Sequence, residues 1–121
     1  MQNEQLDRLV AEKVMGWHIR TFKSGHWTWA KANGEVVGFD DDFEFTPTTN
    51  EAHAALVREK MRELGWSMDI SSIPQRRYRA EFFKWEKMSD RGYARHDQLI
   101  HALTAAALLA VGAITEEELN G

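Results

Sequence analysis

The stretch "HDQLIHALTAAALLAVG", residues 96–112, decides how this chain must be layered. Its apolar run extends from Ala102 to Ile114 and is broken only by Thr104 and Gly112, well short of the roughly 20 residues that a membrane span requires. A helix over His96 to Val111 is apolar almost all round. Such a helix is stable in water only when other layers cover it on more than one side.

The flanking sequence supplies those layers. Upstream, "YRAEFFKWEK" (78–87) is strand-like, and "WSMDI" (66–70) places Trp66, Met68 and Ile70 on one strand face, with a loop from Ser71 to Arg77 between the two. A second helix is predicted from Asn50 to Leu64, with Ala52, Ala55, Leu56, Met61 and Leu64 as its apolar set and Gly65 as its stop. "DDDFEFTPTT" (40–49) is expected to be an irregular loop with Phe43 and Phe45 turned inward. Before it, "WHIRTF" (17–22), "HWTWAKA" (26–32) and "EVVGF" (35–39) form a three-stranded meander, with turns at Ser24-Gly25 and Asn33-Gly34. A first helix runs from Glu4 to Met15 through Leu6, Leu9, Val10 and Val14, capped by Asn3 and ended by Gly16. Thr115 and Glu118 make a capping-box pattern for a short, frayed terminal turn.

Hairpin-like connections in place of βαβ crossovers imply an α+β domain in which three main helices cover both faces of a mostly antiparallel sheet of about five strands. With 121 residues the chain has room for one core. The expected domain spans 1–114, followed by a short tail, 115–121.

Nineteen acidic against fifteen basic residues give a net charge of −4, which argues against a strong, sequence-independent grip on nucleic-acid backbones. The absence of cysteine excludes disulfides, thiolate nucleophiles and cysteine-ligated zinc. The N-terminus lacks the layout of a signal peptide, so a cytoplasmic protein is expected.

Three segments together, "LDRLVAEKVMGW" (6–17), "PTTNEAHAALVREKMRELGW" (47–66) and the terminal "HDQLIHALTAAALLAVG", resemble the phage ABA sandwich domain family, small proteins of tailed phages and prophages. The resemblance spans nearly the whole chain and implies an α-β-α sandwich acting inside an infected bacterium. It implies no particular activity. Many members carry a serine-threonine-aspartate run where this chain has Thr48, Thr49 and Asn50, a change that keeps the capping chemistry and removes a negative charge.

Four constellations are candidates for function. Thr48, Thr49 and Asn50 are good helix N-caps; the same free amides and helix dipole, with His53 one turn on, also suit an anion. Trp27 and Trp29 share one side of a strand, fit for core packing or for stacking an aromatic ring. From Arg76 to Arg95, seven basic residues mix with five aromatic ones, and Arg76 and Arg77 follow Pro74 in a loop suited to bidentate phosphate capture. "FDDDFEF" (39–45) matches no calcium loop, and Asp97 with His101, at i and i+4 of the last helix, is a weak metal signal. Neither metal nor cofactor is expected, and no catalytic motif is present.

The sequence therefore points to a non-enzymatic phage accessory protein that holds a small phosphorylated ligand, such as a host nucleotide signal, through Trp27, Trp29, Thr48, Thr49, Asn50, Arg76 and Arg77. A module that binds a host protein or serves in phage assembly is the alternative, with Asp40 to Glu44 and any exposed tryptophan as contacts. Single-stranded nucleic acid binding through 76–95 is a weaker one. A homo-oligomer, most simply a dimer, is the default expectation.

Overall fold

The structure, a computed structural model, describes residues 1–37, 44–73 and 77–121. In chain order its elements are helix α1 (Asn3–Leu9), continuing as a π-helical turn (Val10–Val14), strands β1 (His18–Thr21) and β2 (Trp27–Ala30), helix α2 (Glu51–Glu63), strands β3 (Ser67–Ile73), β4 (Arg77–Lys84) and β5 (Lys87–His96), and helices α3 (Leu99–Ala110) and α4 (Glu116–Asn120). The result is an α+β fold with five antiparallel strands, divided into a two-stranded sheet, β1–β2, and a three-stranded sheet in the order β3–β4–β5.

The membership of the five strands differs from the sequence expectation. The Asn33-Gly34 turn forms, with Gly34 at φ 86° and Asn33 Oδ1 accepting from the Glu35 N–H at 2.9 Å, but among the described residues it leads into a single bridge, Ala30 to Val36, and Gly38 and Phe39 of the expected strand lie outside them. The fifth strand is instead β5, reached through a two-residue turn at Trp85 and Glu86. That turn carries no glycine, proline or asparagine, so nothing in its residues punctuates "YRAEFFKWEK".

Helix α3 lies where its composition requires. One side packs on β4 and β5, and the other meets α1, the π turn and α2. Ala102, Leu103, Ala105, Ala106, Ala107 and Leu108 are all buried. Small side chains let the helix approach the sheet closely, and Gly92 of β5 marks the tightest point: a Cβ there would sit 2.2 Å from the Ala110 backbone nitrogen. The helix begins at Leu99, since His96 still belongs to β5, so Asp97 and His101 are not helical i, i+4 neighbours. At the far end, Thr115 and Glu118 complete the capping box of α4, and the N-terminal amine donates to the Leu119 carbonyl at 3.1 Å, which ties the two chain ends together.

Two further expectations are corrected. The buried stripe of α2 is Ala54, Val57 and Met61, whereas Leu56 and Leu64 are exposed. The two sets lie on neighbouring faces, and α2 turns the first toward α3 and the π turn, while in the loop before it Phe45 packs on the buried Trp17 at 4.8 Å and on His53 at 5.4 Å. Helix α1 is capped by Gln2 and Gln5, not by Asn3. Phe43 and most of the acidic loop, 40–43, lie outside the described residues.

Candidate functional site

The turn that leads into α2 is held by a carboxylate of the chain itself. Asp7 of α1 is 6% exposed and accepts both the Thr48 N–H and the Thr48 hydroxyl, each at 2.9 Å. Burial pushes its carboxyl above the usual range, against the pull of the two Thr48 hydrogen bonds. Thr48 thus staples the start of α2 to α1. Asn50 is the true N-cap, its Oδ1 accepting from the His53 N–H at 3.1 Å, while Thr49 is exposed. His53 Nδ1 accepts the Thr46 N–H at 2.9 Å, and burial lowers its pKa, so this ring is a neutral acceptor and adds no positive charge. Nothing in the sequence singled out Asp7; its place in a helix among apolar residues was the available signal.

Trp27 and Trp29 do not form a double platform. Trp29 is 3% exposed and belongs to the core, while Trp27 is 51% exposed and meets it edge-on at 5.6 Å. Between them Thr28 is fully buried, its hydroxyl without a hydrogen-bond partner among the described residues. Arg77 pairs at the surface with Asp97 at 3.5 Å, and Arg76 lies outside the described residues. Among those residues no hydrogen bond, ion pair or ring contact joins the β2 tryptophans, the α2 cap and Arg77 into one site.

Near the start of α3, His96 and His101 stack with ring centroids 3.7 Å apart. Burial, followed by the charges of His96 and the N-terminal amine, lowers the His101 pKa from 6.5 to about 4. Asn3 Oδ1 lies 3.1 Å from His101 Nε2, which therefore carries the proton of the neutral ring. A depressed histidine pKa means that the folded state resists protonation, so this contribution to stability is whole above pH 6.5 and is lost as pH falls toward 4. Urea unfolding at pH 7.5 and pH 4.5 should show a loss of about 1–2 kcal/mol, after allowance for solvent screening, that His101→Gln removes.

Within the basic and aromatic segment 76–95, the residues that come together lie further along than Arg76 and Arg77. The face of the three-stranded sheet turned away from α3 carries Arg79 and Glu81 on β4 and Arg91, Tyr93 and Arg95 on β5, because side chains alternate across each strand and Ala80, Phe82, Gly92 and Ala94 take the buried side. Arg79, Arg91, Tyr93 and Arg95, with Gly92, Leu109 and Glu116, line a groove of about 590 Å³. The Glu81 carboxylate binds both Arg79, at 3.2 Å, and Arg91. The Arg79 guanidinium lies 4.5 Å from the Tyr93 ring centroid, and Arg95 is exposed with no ion pair among the described residues. Two guanidinium groups are thus held in place by a shared carboxylate, and Glu116 also lines the groove, so three arginines against two carboxylates leave an excess of one positive charge in a chain whose net charge is −4.

No described helix is long and apolar enough to cross a membrane. No curated protein sequence matches the chain. Among solved structures, a phage protein from Bacillus cereus ATCC 14579 is similar, with a TM-score of 0.65 and 17% identity over 93% of this chain and 89% of that one, which is a likeness of fold. The sequence profile of the Phage ABA sandwich domain matches residues 8–108. With a match of that extent, agreeing with the layered helices and antiparallel strands, the chain belongs to the phage ABA sandwich domain family.

Proposed function

We propose that this phage protein binds a small phosphorylated ligand at the outer face of its three-stranded sheet, and acts by holding that ligand in the host cytoplasm. The observation that supports this reading is the convergence of Arg79, Arg91, Arg95 and Tyr93 on one groove. Guanidinium groups fixed by Glu81 need little reordering to meet an anion, and their planar forks match phosphate oxygens. The ligand site proposed from the sequence is accordingly moved: Thr48 is engaged by Asp7, Trp29 is core, and the arginines that carry the proposal are those of β4 and β5. A signal nucleotide made by the host is the ligand class that suits a sequestering phage protein.

The test is a thermal-unfolding screen against linear and cyclic nucleotides, repeated with Arg91→Ala/Arg95→Ala. A ligand at about 100 times its dissociation constant adds roughly 2.7 kcal/mol of stability, a shift of several degrees. The shift should appear with one nucleotide class and vanish in the double variant; an equal shift in both proteins removes this groove from the reading. A host-protein partner is the second reading. Trp27 favours it, since a half-exposed indole braced edge-on by a core tryptophan resembles an interface anchor. Such a partner would be lost from Trp27→Ala and kept by the arginine variant.

A further inference from the structure

A second groove, of about 490 Å³, opens on the same face of the sheet beside the first, and Arg91 lines both. Its walls are more apolar and aromatic than those of the first: Met68, Phe83, Trp85 and Met88 line it, with the Asp69 and Glu81 carboxylates at its side. Trp85 occupies the β4–β5 turn and is 74% exposed, yet it is not a loose side chain, because Phe83 meets it edge-on at 4.9 Å. At 74% exposure the indole keeps open aromatic surface, on which a nucleobase stacks. Met88, 53% exposed, adapts to a planar ring, while Met68 packs against the core. Asp69 makes no hydrogen bond or ion pair among the described residues, whereas its cross-strand neighbour Glu81 is engaged by two arginines.

Resting on the phosphate reading above, we infer that this second groove seats the base of a purine nucleotide whose phosphates lie in the arginine groove, with Arg91 at the junction and Asp69 reading the base edge. A carboxylate carries two acceptors side by side. Guanine offers N1–H and N2–H donors side by side, so both oxygens are satisfied at once, whereas adenine and cytosine each present one amino donor beside an acceptor that would face the second oxygen. The expected preference is therefore for guanine.

Isothermal titration with GTP, CTP and inorganic pyrophosphate on the intact chain tests this. GTP should bind at least about 10-fold more tightly than CTP or pyrophosphate. Trp85→Ala, at an exposed turn position where folding is not at stake, should lower GTP affinity about 10-fold or more and leave pyrophosphate affinity unchanged. Asp69→Asn should erase the preference for GTP over CTP while retaining pyrophosphate. Pyrophosphate binding with no effect of Trp85→Ala on GTP overturns the base groove and leaves the phosphate reading standing. No binding of either GTP or pyrophosphate overturns both.

Discussion

Replacing Gly92 by alanine should cost about 3 kcal/mol or more and lower the unfolding midpoint by roughly 10 °C or more, although the substitution adds one methyl group. The new Cβ would lie 2.2 Å from the Ala110 nitrogen, 2.6 Å from its Cα and 2.7 Å from the Leu109 carbonyl carbon. These are backbone atoms, so no rotamer change relieves the clash, and the end of α3 must lift from β5. Because the opposing atoms are backbone, trimming the partner to Ala110→Gly should not rescue the variant. Ser89→Ala, on an exposed part of the same strand, is the control and should change little. A Gly92→Ala protein with the parental midpoint would mean that α3 does not approach β5 as closely as described.

The second large effect is at Asp7. Asp7→Ala strands the Thr48 N–H and hydroxyl in a buried setting, and each lost partner costs about 1–3 kcal/mol. A combined loss of about 2–4 kcal/mol is expected by denaturant unfolding at neutral pH. Asp7→Asn should behave differently, since an amide oxygen still accepts from the Thr48 N–H and the amide nitrogen donates to the hydroxyl. The sign of the charge effect points the same way. Burial raises the folded pKa of Asp7 above 3.8, so its ionised form is disfavoured in the folded state, and its contribution is best below pH 3.8 and weakens as pH rises. The neutral amide avoids that cost, so Asp7→Asn should lie within about 1 kcal/mol of the parent at pH 7. Equal losses in the two variants would show that the two hydrogen bonds are not what staples α2 to α1.

Much of the architecture was legible because it rests on local chemistry. The cap at Asn50 and the left-handed stops at Gly16 and Gly65 follow from backbone preferences that a few neighbouring residues set. The long apolar run likewise required α3 to lie between layers, and it does, with the sheet on one side and α1 and α2 on the other. The candidate site was legible only in outline. Its basic and aromatic composition was visible over 76–95, but the turn at Trp85 and Glu86 was not, and without that turn β5 does not return antiparallel to bring Arg91 and Arg95 beside Arg79.

By itself, then, the sequence determined the main helices and the caps of α2 and α4, the antiparallel α+β class, the family and the central place of α3, since each of these depends on periodicity, on residues close in the chain or on composition. Tertiary structure alone decided which partners distant residues take. Asp7 reaches Thr48 across 41 positions and holds the turn just ahead of the helix end where an outside anion was expected. Trp29 enters the core while Trp27, on the same side of the strand, stays half exposed, and the inward face of α2 is chosen by what packs beneath it. Burial depends on the neighbour that arrives from elsewhere in the chain, and no local pattern encodes that neighbour.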